Sequence, residues 1–186
     1  MAQRGRKRRD TPSVVAREIL EVLDDQGQVI ALLPRGEIHQ QRLRHRSVHV
    51  FLFDPKGRLY LQKRAMSKDE NPGLWDSSAA GHVGLGEPYS VAARRELHEE
   101  LGLLCNLLEV TQVEACEETG WEYVALFVGV TNREPRPDPY EIEEGRFFEI
   151  EEINRLLKER PEDFTPAFRL LWDLYQKLGA PKPKEA

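Results

Sequence analysis

Hydrophobic and polar positions alternate with a period of two in several short runs of this 186-residue chain. Such alternation sends successive side chains to opposite faces and predicts half-buried strands. REILEVLDDQGQVIALL (17–33) reads as two short strands around a DDQG turn. VHVFLF (48–53) and RLYLQK (58–63) flank DPKG and predict a second hairpin. The next stretch, SKDENPGLWDSSAAGH, is rich in Pro, Gly, Asp and Ser and reads as loop. WEYVALFVGV (121–130) is long enough for a central strand, and GRFFEI (145–150) predicts another. Between them, NREPRPDPYEIEE carries three prolines and reads mostly as loop. The period then becomes helical in EEINRLLKER and again in TPAFRLLWDLYQKL. In the second helix Thr165 reads as N-cap, Pro166 as the first helical residue and Gly179 as the stop. Its stripe of Phe168, Leu171, Trp172, Tyr175 and Leu178 is explained by core packing. No internal repeat is present.

A further helix, over about 88–101, lies within GHVGLGEPYSVAARRELHEELGL (81–103). Pro88 suits a first helical turn, because its φ is already helical and its missing N–H costs nothing there. Gly102 suits the position just past the end, where a left-handed residue closes the last turn. Glu96, Glu99 and Glu100 are spaced i, i+3, i+4, so their carboxylates project from one face. Like charges packed this closely destabilise a helix unless a cation sits among them, and Mg²⁺ or Mn²⁺ fits oxygen donors of this kind. Glu87 lies just ahead of the helix, where it could support the cluster, and Arg95 could neutralise part of the negative field. An isolated Glu-Glu pair would read as an ordinary solvated face. The full spacing, with Gly81, Gly102 and Arg95, points instead to a metal site.

The same run reads G-x5-E-x7-R-E-U-x-E-E-x-G-U without a missed position, U being aliphatic. It resembles the Nudix box, and the chain resembles the Nudix hydrolases. The fold this implies is an α/β/α sandwich with a mixed sheet, which the order of strands and helices also favours. The resemblance covers about residues 17–178. LRHRSVHVFLFDPKGRLYLQKRAMSKDENPGLWDSSAAGHVGLGE resembles the isopentenyl-diphosphate isomerase branch. That branch implies a Cys and a Glu across an isoprenoid diphosphate, with a metal held by histidines and glutamates. His45 and His82 align with two of the metal histidines, His39 falls one residue out of register with the third, and Glu122 aligns with the catalytic glutamate. The isomerase cysteine before Gly-His is Ala80 here, and the glutamate two residues before Glu122 is Gly120. Ala80 has no ionisable proton and cannot move one at an isoprenoid carbon.

The resemblance therefore implies a metal-dependent hydrolase that cleaves a phosphoanhydride in a nucleoside diphosphate linked to another group. Glu96, Glu99 and Glu100 are the expected metal ligands, with Glu96 a ligand or base; Glu122, Glu117 and Glu118 are further candidates for the base. Arg64 and Lys63 could meet phosphate. Trp75 and Trp121 could stack on a base or pack in the core. His82 could reach metal or phosphate. His39 and His45, taken singly, read as structural residues or relics of ancestry, His49 as packed and His98 as surface. Two alternatives remain: an isopentenyl-diphosphate isomerase, and a non-catalytic nucleotide-binding Nudix module.

Composition narrows this little further. The net charge of −5 gives no support to nucleic-acid binding. No apolar run approaches the roughly 20 residues of a membrane span. The start, MAQRGRKRRDTPS, is basic with no apolar stretch behind it, so no secretory signal is read there. A flexible basic tail over 1–13, one domain over 14–179 and a flexible tail over 180–186 are expected. Cys105 and Cys116 are too few for a disulfide framework and lack metal-finger spacing, so a reducing cytoplasm is expected. The expected partner is a small-molecule diphosphate, and a homodimer is possible.

Overall fold

In a computed structural model, residues 17–179 are described. The two expected tails lie outside those residues, apart from which the elements run as follows. β1 (Ile19–Leu23) and β2 (Val29–Pro34) form a two-stranded antiparallel sheet, followed by a short helix, α1 (Arg35–Gln41). β3 (His45–Phe53), β4 (Leu59–Arg64), β5 (Trp75–Asp76) and β6 (Ala79–His82) lead to the box helix, α2 (Tyr89–Leu101). β7 (Leu107–Val113), β8 (Glu122–Val130) and β9 (Ile142–Phe148) come next. α3 (Ile150–Glu159), a 3₁₀ turn (Pro161–Asp163) and α4 (Pro166–Lys177) close the chain.

β3 is the spine of the larger, mixed sheet. One edge pairs in parallel with β8 along its whole length, His45 to Glu122 and Phe53 to Val130. The other edge is divided: β6 pairs with Ser47–Val50, and β4 pairs with Leu52 and Phe53. β7 extends the sheet beyond β8, while β5 and β9 flank β4.

The alternation read from VHVFLF becomes two cores. Val48, Val50 and Leu52 pack with Ala92, Ala93, Leu97 and Leu101 of α2 on one face. Phe51 and Phe53 pack with Phe168, Leu171, Trp172 and Tyr175 of α4 on the other, where Ile153 of α3 joins them. Burying each such Leu or Phe contributes about 1.5–3 kcal/mol, so both helical layers are held by many independent contributions. The result is the α/β/α sandwich expected from the sequence.

Thr165 caps α4 as expected, its hydroxyl oxygen accepting the Phe168 N–H at 3.1 Å. The same hydroxyl donates to Asp76 at 3.0 Å, which ties α4 to β5. Thr165→Ala should lower unfolding free energy by about 2 kcal/mol, the upper range for a lost cap, in urea titrations. A change within experimental error would show that water replaces both bonds without loss.

Several local expectations need correction. SKDENPGLWDSSAAGH is not all loop, because β5 and β6 form within it by pairing with β4 and β3. Pro88 is the N-cap, with ψ at 146°, and not the first helical residue; its carbonyl accepts the Val91 and Ala92 N–H groups. The strand assigned to GRFFEI starts earlier, at Ile142, and Ile150 already belongs to α3. α1 and β7 were not foreseen at all. Among the described residues, no helix is long and apolar enough to cross a membrane.

Candidate active site

The loop between β6 and α2 is closed by Glu87, whose Oε2 accepts the Gly84 N–H at 2.8 Å. Arg95, two turns along α2, grips the same carboxylate with two bonds, Nε to Oε1 at 2.9 Å and Nη2 to Oε2 at 2.8 Å. A bidentate pair of this kind fixes direction as well as distance. Nη2 also donates to the His82 carbonyl at 2.9 Å, and Nη1 reaches Glu96 and, at 3.4 Å, Glu99. The hydrogen bond from Arg95 holds the Glu87 carboxyl below its ordinary range, against the opposing effect of burial. Glu87 thus stands behind the cavity wall as a clamp, and Arg95 links the box helix to the end of β6.

Glu96, Glu99 and Glu100 line one cavity of about 1420 Å³. Glu100 is only 5% exposed and accepts bonds from Gln62 Nε2 at 2.8 Å and from the Ala80 N–H at 3.2 Å. Burial pushes its carboxyl up to about 8, and the charge of Glu96 adds to the shift. Burial also raises Glu96, to about 7, against the pull of Arg95. Arg95 beside Glu96 and the more distant Lys68 do not offset the burial of the two acidic groups. A divalent cation would add the positive charge that does, and carboxylate oxygens suit Mg²⁺ or Mn²⁺. Gly81 is required beside them, because a Cβ there would overlap the Glu96 carboxylate.

A second group of ligand-type side chains meets the same cavity, which His39, His82 and Glu122 of the group line. His39, His45, His82 and Glu122 each offer an atom within 4.8 Å of the others. Strand register explains most of this. His45 lies directly opposite Glu122 across β3 and β8, and His82 pairs with Ser47 across β3 and β6. α1 brings His39 over them, its Nε2 3.3 Å from His82 Nε2. Glu122 Oε1 is 3.3 Å from Nε2 of both His45 and His82. The Nδ1 of His45 lies 2.9 Å from the Leu43 carbonyl, which assigns the ring proton to Nδ1. Nε2 is buried and makes no well-directed hydrogen bond, with the Glu122 carboxylate 3.3 Å from it. His39 turns Nδ1 toward Asp69 at 3.5 Å and Glu70 at 3.6 Å. A carboxylate behind the far nitrogen of a histidine is how metal-binding imidazoles are commonly oriented. Three imidazoles and one carboxylate suit a borderline cation such as Zn²⁺, Co²⁺ or Mn²⁺.

Without a cation this group orders its own charges. Burial alone would raise Glu122, but the His45 and His82 imidazoles, each 3.3 Å away, take it well below its ordinary value. Burial lowers His82 to about 4, while for His45 the attraction of Glu122 outweighs burial and the net shift is upward.

The remaining residues singled out in the sequence divide clearly. Arg64 lines the cavity and donates to the Glu70 carbonyl at 3.1 Å and to Asp76 at 3.3 Å, whereas Lys63 does not line it. Glu117, Glu118 and Trp121 line it as well, Trp121 with a φ of 66° that is rare for so bulky a residue. Trp75 packs edge-on against Phe148 at 4.9 Å. His49 is packed, with Nδ1 2.8 Å from Ser77 Oγ, and His98 is exposed. Gln62, Arg35, Lys68 and Asp69 were missed. Gln62 carried a signal, as a polar residue within the apolar run of β4; the other three had none. Ala80 lines the cavity, and neither Cys105 nor Cys116 does.

Fold and cavity together define a carboxylate-bearing helix packed against a mixed sheet, its acidic face lining the cavity. The NUDIX domain family matches residues 43–168, and the chain belongs to that family. It is 32% identical over 157 residues to an isopentenyl-diphosphate delta-isomerase 2 of Photorhabdus laumondii, covering 82% of this chain and 89% of that protein. It is 37% identical over 176 residues to a protein of Yersinia pestis named as an uncharacterized Nudix hydrolase, covering 91% and 94%. Among solved structures, a Deinococcus radiodurans protein superposes with a TM-score of 0.73 at 23% identity, covering 88% of this chain and 100% of that one. The relatives thus include both an isomerase and a hydrolase by name.

Proposed function

We propose that this chain is a metal-dependent Nudix hydrolase that cleaves a phosphoanhydride in a nucleoside diphosphate linked to another group. The observation that carries the reading is the composition of the cavity wall. It holds Glu96, Glu99 and Glu100 together with Arg95, and has an alanine where the isomerase branch has its cysteine. Mg²⁺ or Mn²⁺ held by Glu96, Glu99 and Glu100 would neutralise diphosphate charge and acidify a water. The protein's own contribution is position and charge. Arg64, Lys68 and Arg35 line the cavity as cations for phosphate oxygens. Gln62 and the Ala80 N–H hold the Glu100 carboxylate in one orientation. Glu122 is a weak proton acceptor while two histidines hold its charge, and the Glu118 carboxyl is also held below its ordinary range, which leaves Glu117 on the cavity wall as the proposed base.

The histidine–glutamate cluster favours a second reading, isopentenyl-diphosphate isomerisation. Ala80 argues against it, since proton transfer at carbon needs an acid or base where only a methyl group stands. Purified protein should be incubated with Mg²⁺ and a panel of nucleotides and isoprenoid diphosphates, with products resolved by chromatography. Anhydride cleavage that disappears with chelator, and in Glu99→Gln, is the expected result. Interconversion of isoprenoid isomers without cleavage would overturn it, as would full activity in Glu99→Gln.

A further inference from the structure

The family match begins at residue 43, but the hairpin ahead of it reaches the box loop through one side chain. Glu21, on β1, accepts the Gly86 N–H on Oε1 at 2.9 Å and pairs on Oε2 with Arg46 Nη2 at 2.5 Å. Arg46, on β3, donates through Nη1 to the Glu87 carbonyl at 3.4 Å and lies 5.4 Å above the Tyr89 ring. The Arg46 carbonyl accepts the Val83 N–H at 3.0 Å. The loop from Val83 to Glu87 is therefore held at both ends. Gly86 has a φ of 64°, a left-handed turn that a fixed N–H partner helps to select. From this loop hangs the rest of the site, Glu87 gripping Arg95 and Arg95 reaching Glu96 and Glu99.

We propose that Glu21 is a positioning residue for the metal-binding carboxylates, acting through Gly86, Arg46, Glu87 and Arg95. Its side chain does not line the cavity. The inference rests on the reading of Glu96, Glu99 and Glu100 as metal ligands. Removing Glu21 frees the Gly86 amide and leaves Arg46 without its carboxylate, so the Glu87 clamp loses its fixed origin. The hairpin is then a working part of the site and not an appendage to it.

The test uses the full chain with Glu21→Ala, Glu21→Gln and, as a control, Asp24→Ala. Asp24 Oδ1 accepts the Gln26 and Gln28 N–H groups, so its loss loosens the hairpin turn without touching the latch. Amide hydrogen exchange at Gly86 and Glu87 is measured in chelator, and Mn²⁺ affinity by electron paramagnetic resonance. Glu21→Ala should speed exchange at both amides and weaken Mn²⁺ roughly tenfold, the usual cost of losing an outer-shell partner. Glu21→Gln, which keeps an acceptor for Gly86 but no charge for Arg46, should fall between and guards against a misfolded alanine variant. Asp24→Ala should lower Tm and change neither reading. Equal losses in Asp24→Ala and Glu21→Ala would reduce Glu21 to simple support and overturn the proposal. Unchanged exchange in Glu21→Ala would overturn it alone. Mn²⁺ affinity insensitive to Glu100→Gln would overturn the metal reading beneath it.

Discussion

Replacing Glu100 by Gln is expected to lower kcat/KM about a thousandfold, roughly 4 kcal/mol of transition-state stabilisation, while the fold survives. Gln has the shape of Glu and can still accept the Ala80 N–H, so Gln62 and the surrounding core need move little. What it lacks is the negative charge that a cation requires. The same substitution separates chemistry from stability. A carboxyl whose folded pKa is raised from 4.5 to about 8 binds its proton more tightly in the folded state. The stability it contributes is complete below pH 4.5 and is lost as pH rises through about 8. In chelator, the Tm of Glu100→Gln minus that of the parent should therefore grow between pH 5 and 8. A flat difference would show that Glu100 ionises freely without metal.

Gly81→Ala should lower kcat/KM about a hundredfold, roughly 2.7 kcal/mol. The added methyl group meets the Glu96 carboxylate, which is the far end of a flexible side chain and can swing away. The fold should tolerate the change, with Tm shifting by a few degrees at most, about 1 kcal/mol for a domain of this size. The catalytic array should not, because Glu96 leaves its place beside Arg95. Mn²⁺ affinity and kcat/KM, read beside Tm, separate these effects. Retained activity would mean that Glu96 is not needed where the structure holds it.

Local chemistry explains what could be read in advance. The DDQG and DPKG turns, the Thr165 cap and the spacing of Glu96, Glu99 and Glu100 are short-range signals, and each appears where expected. α1 has seven residues and an N-cap at Pro34 with no side-chain hydrogen bond, so nothing in RGEIHQQ announces it. β5 and β6 are two and four residues long and exist by pairing with strands already in place. β7 lies on the sheet edge and its register shifts between Glu109 and Thr111, so its burial follows no two-residue period. The histidines show the same limit more sharply. Read one at a time, His39 and His45 are structural residues or relics of ancestry. Their meeting with His82 and Glu122 depends on the parallel register of β3 with β8, on β6 taking the opposite edge, and on α1 closing over them. Those are long-range facts, and only the likeness to a family hinted at them.

Gly120 has a φ of 66°, and no heavy atom lies where its Cβ would be. An added Cβ would meet nothing there, but the backbone is left-handed and costs a side-chain-bearing residue about 1–2 kcal/mol. Ala80 has no such constraint. The two positions singled out against the isomerase branch are therefore unequal: a thiol at residue 80 asks nothing of the backbone, whereas an acid at residue 120 would bear the left-handed cost that Trp121 beside it already bears.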